Sequence, residues 1–249
     1  MRELLTKLTP ARGFSLFLHY VLVALLPILL YVLIGLNMVP LAYVVVILAK
    51  WRMFAVRPRF WPANLRANAV DIMVGLSAVI FMSQTDSVAV RFFWAILYAI
   101  WLIALKPRSS VFWVSVQAGV AQLAALSVLY MAGGGWSIWL LTGLSGLICY
   151  LAARHFIDNF DEAYARLLSY TWGYFGASLA WLSSHWLLYY KGLAQPTLLL
   201  SAIGYGLAAL YYFDHFDKLH VTVRRQVIFI MVAIIVVVLT FSDWGDKVV

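Results

Sequence analysis

Long apolar runs constrain the fold of this chain more than any other feature. Nine of them, each roughly 16 to 24 residues long, follow one another with only short connections between them. A helix that crosses the hydrocarbon core of a bilayer needs about 20 predominantly apolar residues, because it rises about 1.5 Å per residue. The composition agrees, since 65% of the residues are hydrophobic and 11% are charged, against roughly half and a quarter in soluble domains. The sequence therefore predicts an all-α integral membrane protein.

Nine membrane spans are predicted, and no polar stretch between them is long enough for a soluble domain. We therefore expect a single transmembrane domain over residues 1–249. The second and third spans are the weakest, because Lys50 interrupts one and Asp71 lies near the start of the other. They either cross as short spans or form a partly re-entrant pair, so eight spans is the alternative. The nine predicted spans are residues 14–36, 38–55, 68–83, 88–105, 109–131, 136–153, 167–190, 196–213 and 226–241.

The distribution of basic residues predicts the orientation of these spans. Fifteen of the 18 lysine and arginine residues fall on one side if the nine spans alternate in direction. Cytoplasmic loops carry such an excess, so we expect a cytoplasmic N-terminus and an external C-terminus over residues 242–249. Because the charges lie in short connections between apolar runs, the formal net charge of +8 indicates topology and not nucleic-acid binding. We expect a multi-pass protein of the bacterial cytoplasmic membrane.

The second half of the chain contains an internal repeat. Residues 144–161 and residues 200–217 align without a gap, and each copy is an apolar helix that runs into an Asp-x-Phe-Asp sequence. Both copies point the same way in the predicted topology, which indicates a parallel tandem repeat of two-span units starting near residues 144 and 200. The identical pairs are Leu144/Leu200, Ser145/Ser201, Leu151/Leu207, Ala152/Ala208, Ala153/Ala209, Asp158/Asp214, Phe160/Phe216 and Asp161/Asp217.

The repeated aspartates are candidates for a metal site. Paired carboxylates at the membrane surface are ligands for a hard cation such as Mg²⁺, which proteins often hold with a few carboxylates and substrate phosphates. Such a site would suit a lipid-modifying transferase, which is the alternative function. Its candidate metal ligands are Asp158, Asp161, Asp214 and Asp217, and its candidate catalytic residues are these four with His155, His215 and Arg166.

Two enzyme families resemble this pattern over a few residues. Asp158, Asp161, Ala165 and Arg166 resemble the first half of the CDP-alcohol phosphotransferase signature, but Glu162 replaces the expected glycine and the second half is absent. Nine spans with two cytoplasmic aspartate motifs are similar to the UbiA-type prenyltransferases, although the motifs here follow different spans. Either resemblance would imply transfer of a lipid or headgroup with a divalent metal.

A structural interpretation of the same aspartates is also open. An acidic residue followed three positions later by another acid has the spacing of a capping box. Asp158 with Asp161, and Asp214 with Asp217, would then cap the N-termini of the helices that follow, where negative charge is favourable.

The loop over residues 50–66 interleaves basic and aromatic side chains. Such a segment attracts anionic lipid headgroups, at about 1 kcal/mol for each basic residue near the surface. The alternative is that this loop is only the strongest topology signal in the chain. The candidate headgroup residues are Lys50, Arg52, Arg57, Arg59 and Arg66.

Polar residues inside the predicted spans are few. Gln117, Gln122 and His185 are the intramembrane candidates for a polar pathway, and interhelical hydrogen bonds explain them equally well. We expect a non-enzymatic facilitator, or a membrane-complex subunit that docks lipids or partner proteins through cytoplasmic loops. A membrane-protein partner or a second copy of the chain would fit that role.

Small residues spaced four apart predict where these helices touch. They are Ser115 and Gly119 in the fifth span, Thr142 and Gly146 in the sixth, and Gly176, Ala180 and Ser184 in the seventh.

Overall fold

A computed structural model describes residues 12–186, 189–190 and 192–243, and this part of the chain is helical almost throughout. The basic residues Arg2 and Lys7, and residues 244–249 of the C-terminal tail, lie outside the described residues. The helices are α1 Arg12–Gly35, α2 Val39–Leu48, α3 Trp61–Ala67, α4 Ala69–Ser83, α5 Val88–Ile100, α6 Val111–Gly133, α7 Ile138–Ile157, α8 Ala165–Ser183, α9 Gln195–His215 and α10 Val221–Phe241.

Every predicted span overlaps one of these helices. Five helical segments in the described residues are long and apolar enough to cross a membrane, and a sixth is obtained if a pair of helices bent by 66° counts as one span. That bent pair joins Pro58–Ala67 to Ala69–Ser83, at the third predicted span. The five are Val88–Leu105, Val111–Gly133, Ile138–Ile157, Gln195–His215 and Val221–Phe241. The described part of the chain is therefore almost entirely helical, with five or six segments that are able by length and composition to cross a membrane, while nine crossings and their orientation remain predictions.

The chain divides into two compact units. The first comprises Met1–Trp51 and Ala78–Arg108. In it α1 packs on α5, where Tyr31 meets the edge of Phe92. Phe81, near the end of α4, stacks on Trp94 of α5 with ring centroids 4.1 Å apart. A π-helical turn, Trp101–Leu105, continues α5. The buried residues of this unit are mainly aliphatic, among them Leu30, Ile34 and Met82, and the aromatic pairs lie nearer its surface.

The second unit comprises Arg52–Ser77 and Ser109–Val249. Its closest helix pair is α7 with α8, which cross at glycines: a Cβ added to Gly146 would lie 2.9 Å from the Cβ of Ala177 and 3.0 Å from the carbonyl oxygen of Gly173. A Cβ added to Gly176 would lie 2.6 Å from the Sγ of Cys149. The small-residue contacts predicted at Gly146 and Gly176 are therefore confirmed.

The helices α6 and α9 complete the buried core of this unit, which contains Leu126, Tyr130, Cys149 and Leu200. Helix α10 packs mainly on α9, and Val238 is the buried residue of this last helix. A two-residue strand, β1 (Tyr189–Tyr190), pairs antiparallel with β2 (Leu193–Ala194) just before α9. The eighth helix therefore ends before the predicted limit of its span at residue 190.

Candidate functional site

Both Asp-x-Phe-Asp sequences form turns that end a helix. Asp161 follows α7 with a φ of 50°, and Asp217 follows α9 with a φ of 53°. After α9, the N–H of Lys218 donates to the carbonyl oxygen of Phe213 at 2.8 Å, and the N–H of Asp217 donates to that of Asp214 at 3.0 Å. These two bonds define a Schellman motif, in which the residue just past the helix is left-handed.

The capping interpretation of these aspartates is therefore wrong. The residues that precede α8 and α10 are Tyr164 and His220, and neither caps its helix through a side chain. Asp217 instead occupies the left-handed position directly after the cap of α9, and Asp161 has the same positive φ in the turn that follows the end of α7 at Ile157. Aspartate tolerates this conformation better than most residues. Because a helix C-terminus carries partial negative charge, the carboxylate of Asp217 is unfavourable there by about 0.3 to 1 kcal/mol. The two copies thus share a positive φ at the second aspartate, which their sequence spacing did not indicate.

The four repeated aspartates do not form a metal site in the part of the chain that the structure describes. All four are exposed, and no group of three histidine, cysteine, aspartate or glutamate side chains there is close enough to hold a metal ion. Asp158 instead pairs with Arg154 through a 2.8 Å contact between its Oδ1 and Nη2. The magnesium-dependent alternative receives no support from this geometry.

Polar side chains gather around the end of α7. The Nε2 of His155 lies 3.4 Å from the Oε1 of Gln117 on α6. The carboxylates of Asp71 and Asp158 lie within electrostatic range of the same imidazole. His155 therefore lies within hydrogen-bonding distance of Gln117, whereas His215 belongs to an aromatic cluster with Phe160.

Glu162 anchors the turn between α7 and α8. Its Oε2 accepts a 2.8 Å hydrogen bond from the hydroxyl of Tyr211 on α9, and its Oε1 accepts one from the backbone N–H of Tyr164 at 3.2 Å. The Tyr211 hydroxyl, and then the Tyr164 N–H, lower the pKa of Glu162 below its ordinary value. Glu162 is therefore an ionised group at neutral pH.

A pocket of about 530 Å³ opens beside this turn, and we call it the arginine pocket. Arg154 contributes the buried guanidinium of its lining, with Nε and Nη1 making no hydrogen bond to the described residues. Arg166 is exposed at the same pocket. The full lining is Arg154, Glu162, Ala163, Tyr164, Ala165, Arg166, Leu167 and Tyr170.

A larger space of about 1030 Å³, here called the apolar cavity, is a groove among α6 to α10 that is open to the protein surface, where Tyr205 and Ile230 of its lining are exposed. Its walls include Gly119 and Val120 of α6, Phe175 of α8 and Met231 of α10. A Cβ added to Gly119 would meet nothing within 4 Å. The small residues Ser115 and Gly119 therefore border a cavity and do not mark a close helix contact, so that part of the prediction is wrong.

Few polar groups reach this cavity, and most of them are paired. The amide of Gln122 accepts a 3.1 Å hydrogen bond from the indole N–H of Trp172 and donates one of 3.1 Å to the carbonyl oxygen of Leu200. Ser115 donates to the carbonyl oxygen of Val111. The Oγ of Ser201 lacks a partner among the described residues. A ligand in the cavity meets a surface that is almost wholly apolar.

The three predicted intramembrane polar residues are not brought together. Gln117 and Gln122 are buried and hydrogen-bonded on different sides of α6, to His155 and Trp172 respectively. His185 is exposed in a 3₁₀ turn beyond α8, where its Nδ1 lies 2.8 Å from the carbonyl oxygen of Trp181. In the described bundle they do not line a common path.

The basic loop is ordered by local hydrogen bonds. The indole of Trp61 donates to the carbonyl oxygen of Val56 at 3.1 Å, and the amide of Asn64 donates to that of Met53 at 3.2 Å. Arg57, Arg59 and Arg66 are exposed, and Lys50 is partly buried. The side chain of Arg52 lies outside the described residues. Three of the five candidate headgroup residues are thus accessible to lipid.

Sequence reasoning missed the apolar cavity and the bond from Tyr211 to Glu162. Gly119 was a signal for the cavity, but the same small-residue spacing also marks true helix contacts. Comparisons of the chain with family models, with curated proteins and with solved structures found no match.

Proposed function

We propose that this integral membrane protein binds a lipid, with the hydrocarbon chain held in the apolar cavity. The observation that carries the proposal is the cavity itself: about 1030 Å³ of mostly apolar space among α6 to α10, of which α6, α7, α9 and α10 are long and apolar enough to span a bilayer. This volume is at the upper end of the roughly 300 to 1,000 Å³ that small-molecule pockets occupy.

Water is a poor occupant of this space. A well-held water needs two to four polar partners, whereas Gln122, Trp172 and Ser115 each hydrogen-bond within the protein and the Oγ of Ser201 is a single unpaired group. An empty cavity is also unfavourable, because the side chains that line it lose dispersion contacts. A hydrocarbon chain from the surrounding bilayer supplies those contacts without requiring any hydrogen bond.

Polar conduction through the bundle is less well supported. A facilitator needs polar groups that can exchange partners along a path, but Gln117 and Gln122 are held by separate protein partners. The lipid-docking part of the sequence prediction therefore becomes the proposed function, with docking extended from the loops to the apolar groove among α6 to α10.

Filling the cavity tests the proposal. Gly119 lines the cavity and Gly143 does not, yet a Cβ at either position would meet nothing within 4 Å. Gly119→Phe is therefore expected to occupy the cavity without straining the helix, and Gly143→Phe is its matched control. Lipid retained by the detergent-purified protein is measured by native mass spectrometry.

The wild type and Gly143→Phe should each retain a chain-bearing lipid that survives mild activation. Gly119→Phe should retain at least about tenfold less of it, since the ring takes the place of part of the chain. If Gly119→Phe keeps the same lipid in the same amount, the cavity is not its binding site. If none of the three proteins retains lipid, the proposed function is wrong.

A further inference from the structure

We infer that the arginine pocket binds the headgroup of a zwitterionic phospholipid that carries a primary ammonium, the phosphatidylethanolamine class. This inference does not rest on the proposed function, because the arginine pocket and the apolar cavity share no lining residue. It rests on the donors, charges and aromatic faces that meet at the start of α8.

Two arginines make one side of the pocket basic. The Nη2 of Arg154 is engaged by Asp158 at 2.8 Å, and its Nε and Nη1 are buried without a hydrogen-bond partner among the described residues, so Arg154 contributes positive potential and not direct contacts. Phosphate oxygens are strong acceptors for guanidinium N–H groups, and an exposed guanidinium can supply them. Arg166 adds a second, exposed guanidinium to the same lining.

Glu162 provides the site for the cationic group. Its two oxygens accept one hydrogen bond each from Tyr211 and Tyr164, which leaves further lone pairs on both oxygens. A carboxylate in the lining disfavours a purely anionic ligand. Since Asp158 balances Arg154, the remaining charges of Arg166 and Glu162 match the phosphate and the ammonium of one zwitterion.

The aromatic residues place this pocket at headgroup level. Tyr164 and Tyr170 are 68% and 57% exposed, and Leu167 beside them is 62% exposed. Tyr170 stacks on Tyr150 of α7 with centroids 5.0 Å apart, which fixes its ring as a wall. Tyrosine is enriched where a membrane helix meets the headgroups, and an aromatic face also attracts an ammonium ion.

The chemistry distinguishes ethanolamine from choline. A primary ammonium donates three hydrogen bonds, as the lysine ammonium does, whereas a trimethylammonium donates none. Only the primary ammonium can therefore donate a hydrogen bond to Glu162. We therefore expect the pocket to prefer phosphatidylethanolamine to phosphatidylcholine and to the anionic phosphatidylglycerol.

Competition between these three lipids, with matched acyl chains, tests the inference. Each is titrated onto the delipidated full-length protein in detergent, and bound lipid is counted by native mass spectrometry. The variants are Arg166→Gln and Glu162→Gln. The control is Arg225→Gln, which removes the same positive charge as Arg166→Gln but at an exposed position that lines neither the pocket nor the cavity.

The wild type and Arg225→Gln should bind phosphatidylethanolamine about tenfold more tightly than the other two lipids. Arg166→Gln should weaken the binding of all three, because each has a phosphate. Glu162→Gln should remove the preference, because it weakens the binding of phosphatidylethanolamine and relieves the repulsion of phosphatidylglycerol. Inorganic phosphate should not displace the lipid, since it lacks an ammonium.

Equal binding of the three lipids by the wild type would overturn the inference, as would a preference for phosphatidylglycerol or displacement by phosphate. An Arg166→Gln variant that binds like Arg225→Gln would also overturn it. The cavity variant Gly119→Phe should keep the ethanolamine preference, so failure at the pocket and failure at the cavity give different results.

Discussion

Replacing Gly146 with alanine probes the closest helix contact in the protein's second unit. The added Cβ would lie 2.9 Å from the Cβ of Ala177 and 3.0 Å from the carbonyl oxygen of Gly173. Neither neighbour can rotate away, because one is a methyl group fixed to the backbone and the other is backbone itself. Non-bonded carbon atoms prefer separations of about 3.5 to 4.0 Å, so α7 and α8 must move apart by roughly half an ångström.

Two opposing free-energy terms set the change in stability that Gly146→Ala causes. Overpacking of this kind costs about 1 to 3 kcal/mol, while alanine gains about 1 kcal/mol over glycine in helix propensity. Gly143 lies three residues earlier in α7, and a Cβ there would meet nothing within 4 Å. Gly143→Ala therefore carries the propensity gain alone. Gly146→Ala should be less stable than Gly143→Ala by about 1 to 3 kcal/mol.

Unfolding in mixed micelles, titrated with sodium dodecyl sulfate and followed by circular dichroism, measures this difference. The comparison of two alanine variants of one helix removes the propensity term. If Gly146→Ala and Gly143→Ala unfold at the same detergent fraction, the two helices do not cross at glycine contact and the assigned packing is wrong.

Three further predictions concern the surface of the helix ends. Asp217→Gly should stabilise the protein by about 1 kcal/mol in the same unfolding assay, because glycine adopts positive φ freely and the helix C-terminus loses a negative charge; destabilisation would show that the carboxylate has a binding role. The lowered pKa of Glu162 means that its stabilisation is full above pH 4.5 and is lost as the pH falls through the lower folded value. Tyr211→Phe should therefore flatten the pH dependence of unfolding below about pH 5, and an unchanged slope would contradict the assigned bond. Arg57→Gln and Arg59→Gln should each weaken the retention of phosphatidylglycerol at the basic loop about fivefold, and retention equal to that of the wild type would refute its headgroup role.

Hydropathy was sufficient to locate the helices, because the backbone N–H and C=O groups of an apolar segment in a bilayer must hydrogen-bond to each other, as they do in a helix. The segment Val88–Leu105 has the predicted limits. The eighth helix does not, since it ends at Ser183 and the chain then forms a 3₁₀ turn and a short strand pair. The aromatic residues after Ser183 extend the apolar run in sequence but not the helix, and composition alone cannot separate the two.

Small-residue spacing was ambiguous for a different reason. Gly146 and Gly119 occur in equivalent patterns, yet one lies against another helix and the other borders a cavity. The spacing describes one helix face, whereas the outcome depends on the helix opposite. Asp161 and Asp217 show the same limit, because an acid three residues after another fits an N-terminal cap in sequence and a C-terminal turn in structure.

The location of unpaired polar atoms connects the cavity and the arginine pocket to one class of ligand. Inside the second unit the larger polar side chains are paired within the protein: Gln122 with Trp172, and Ser145 with the hydroxyl of Tyr130 at 2.9 Å. The interior of the bundle thus offers mostly apolar space, and the buried unpaired guanidinium N–H groups of Arg154 lie at the end of α7. An amphiphile has a charged group that a helix end can bind and an apolar chain that the space between the helices can bind. A water-soluble ligand would gain little from contact with that apolar space. Lipid is therefore the ligand class that we propose for both features.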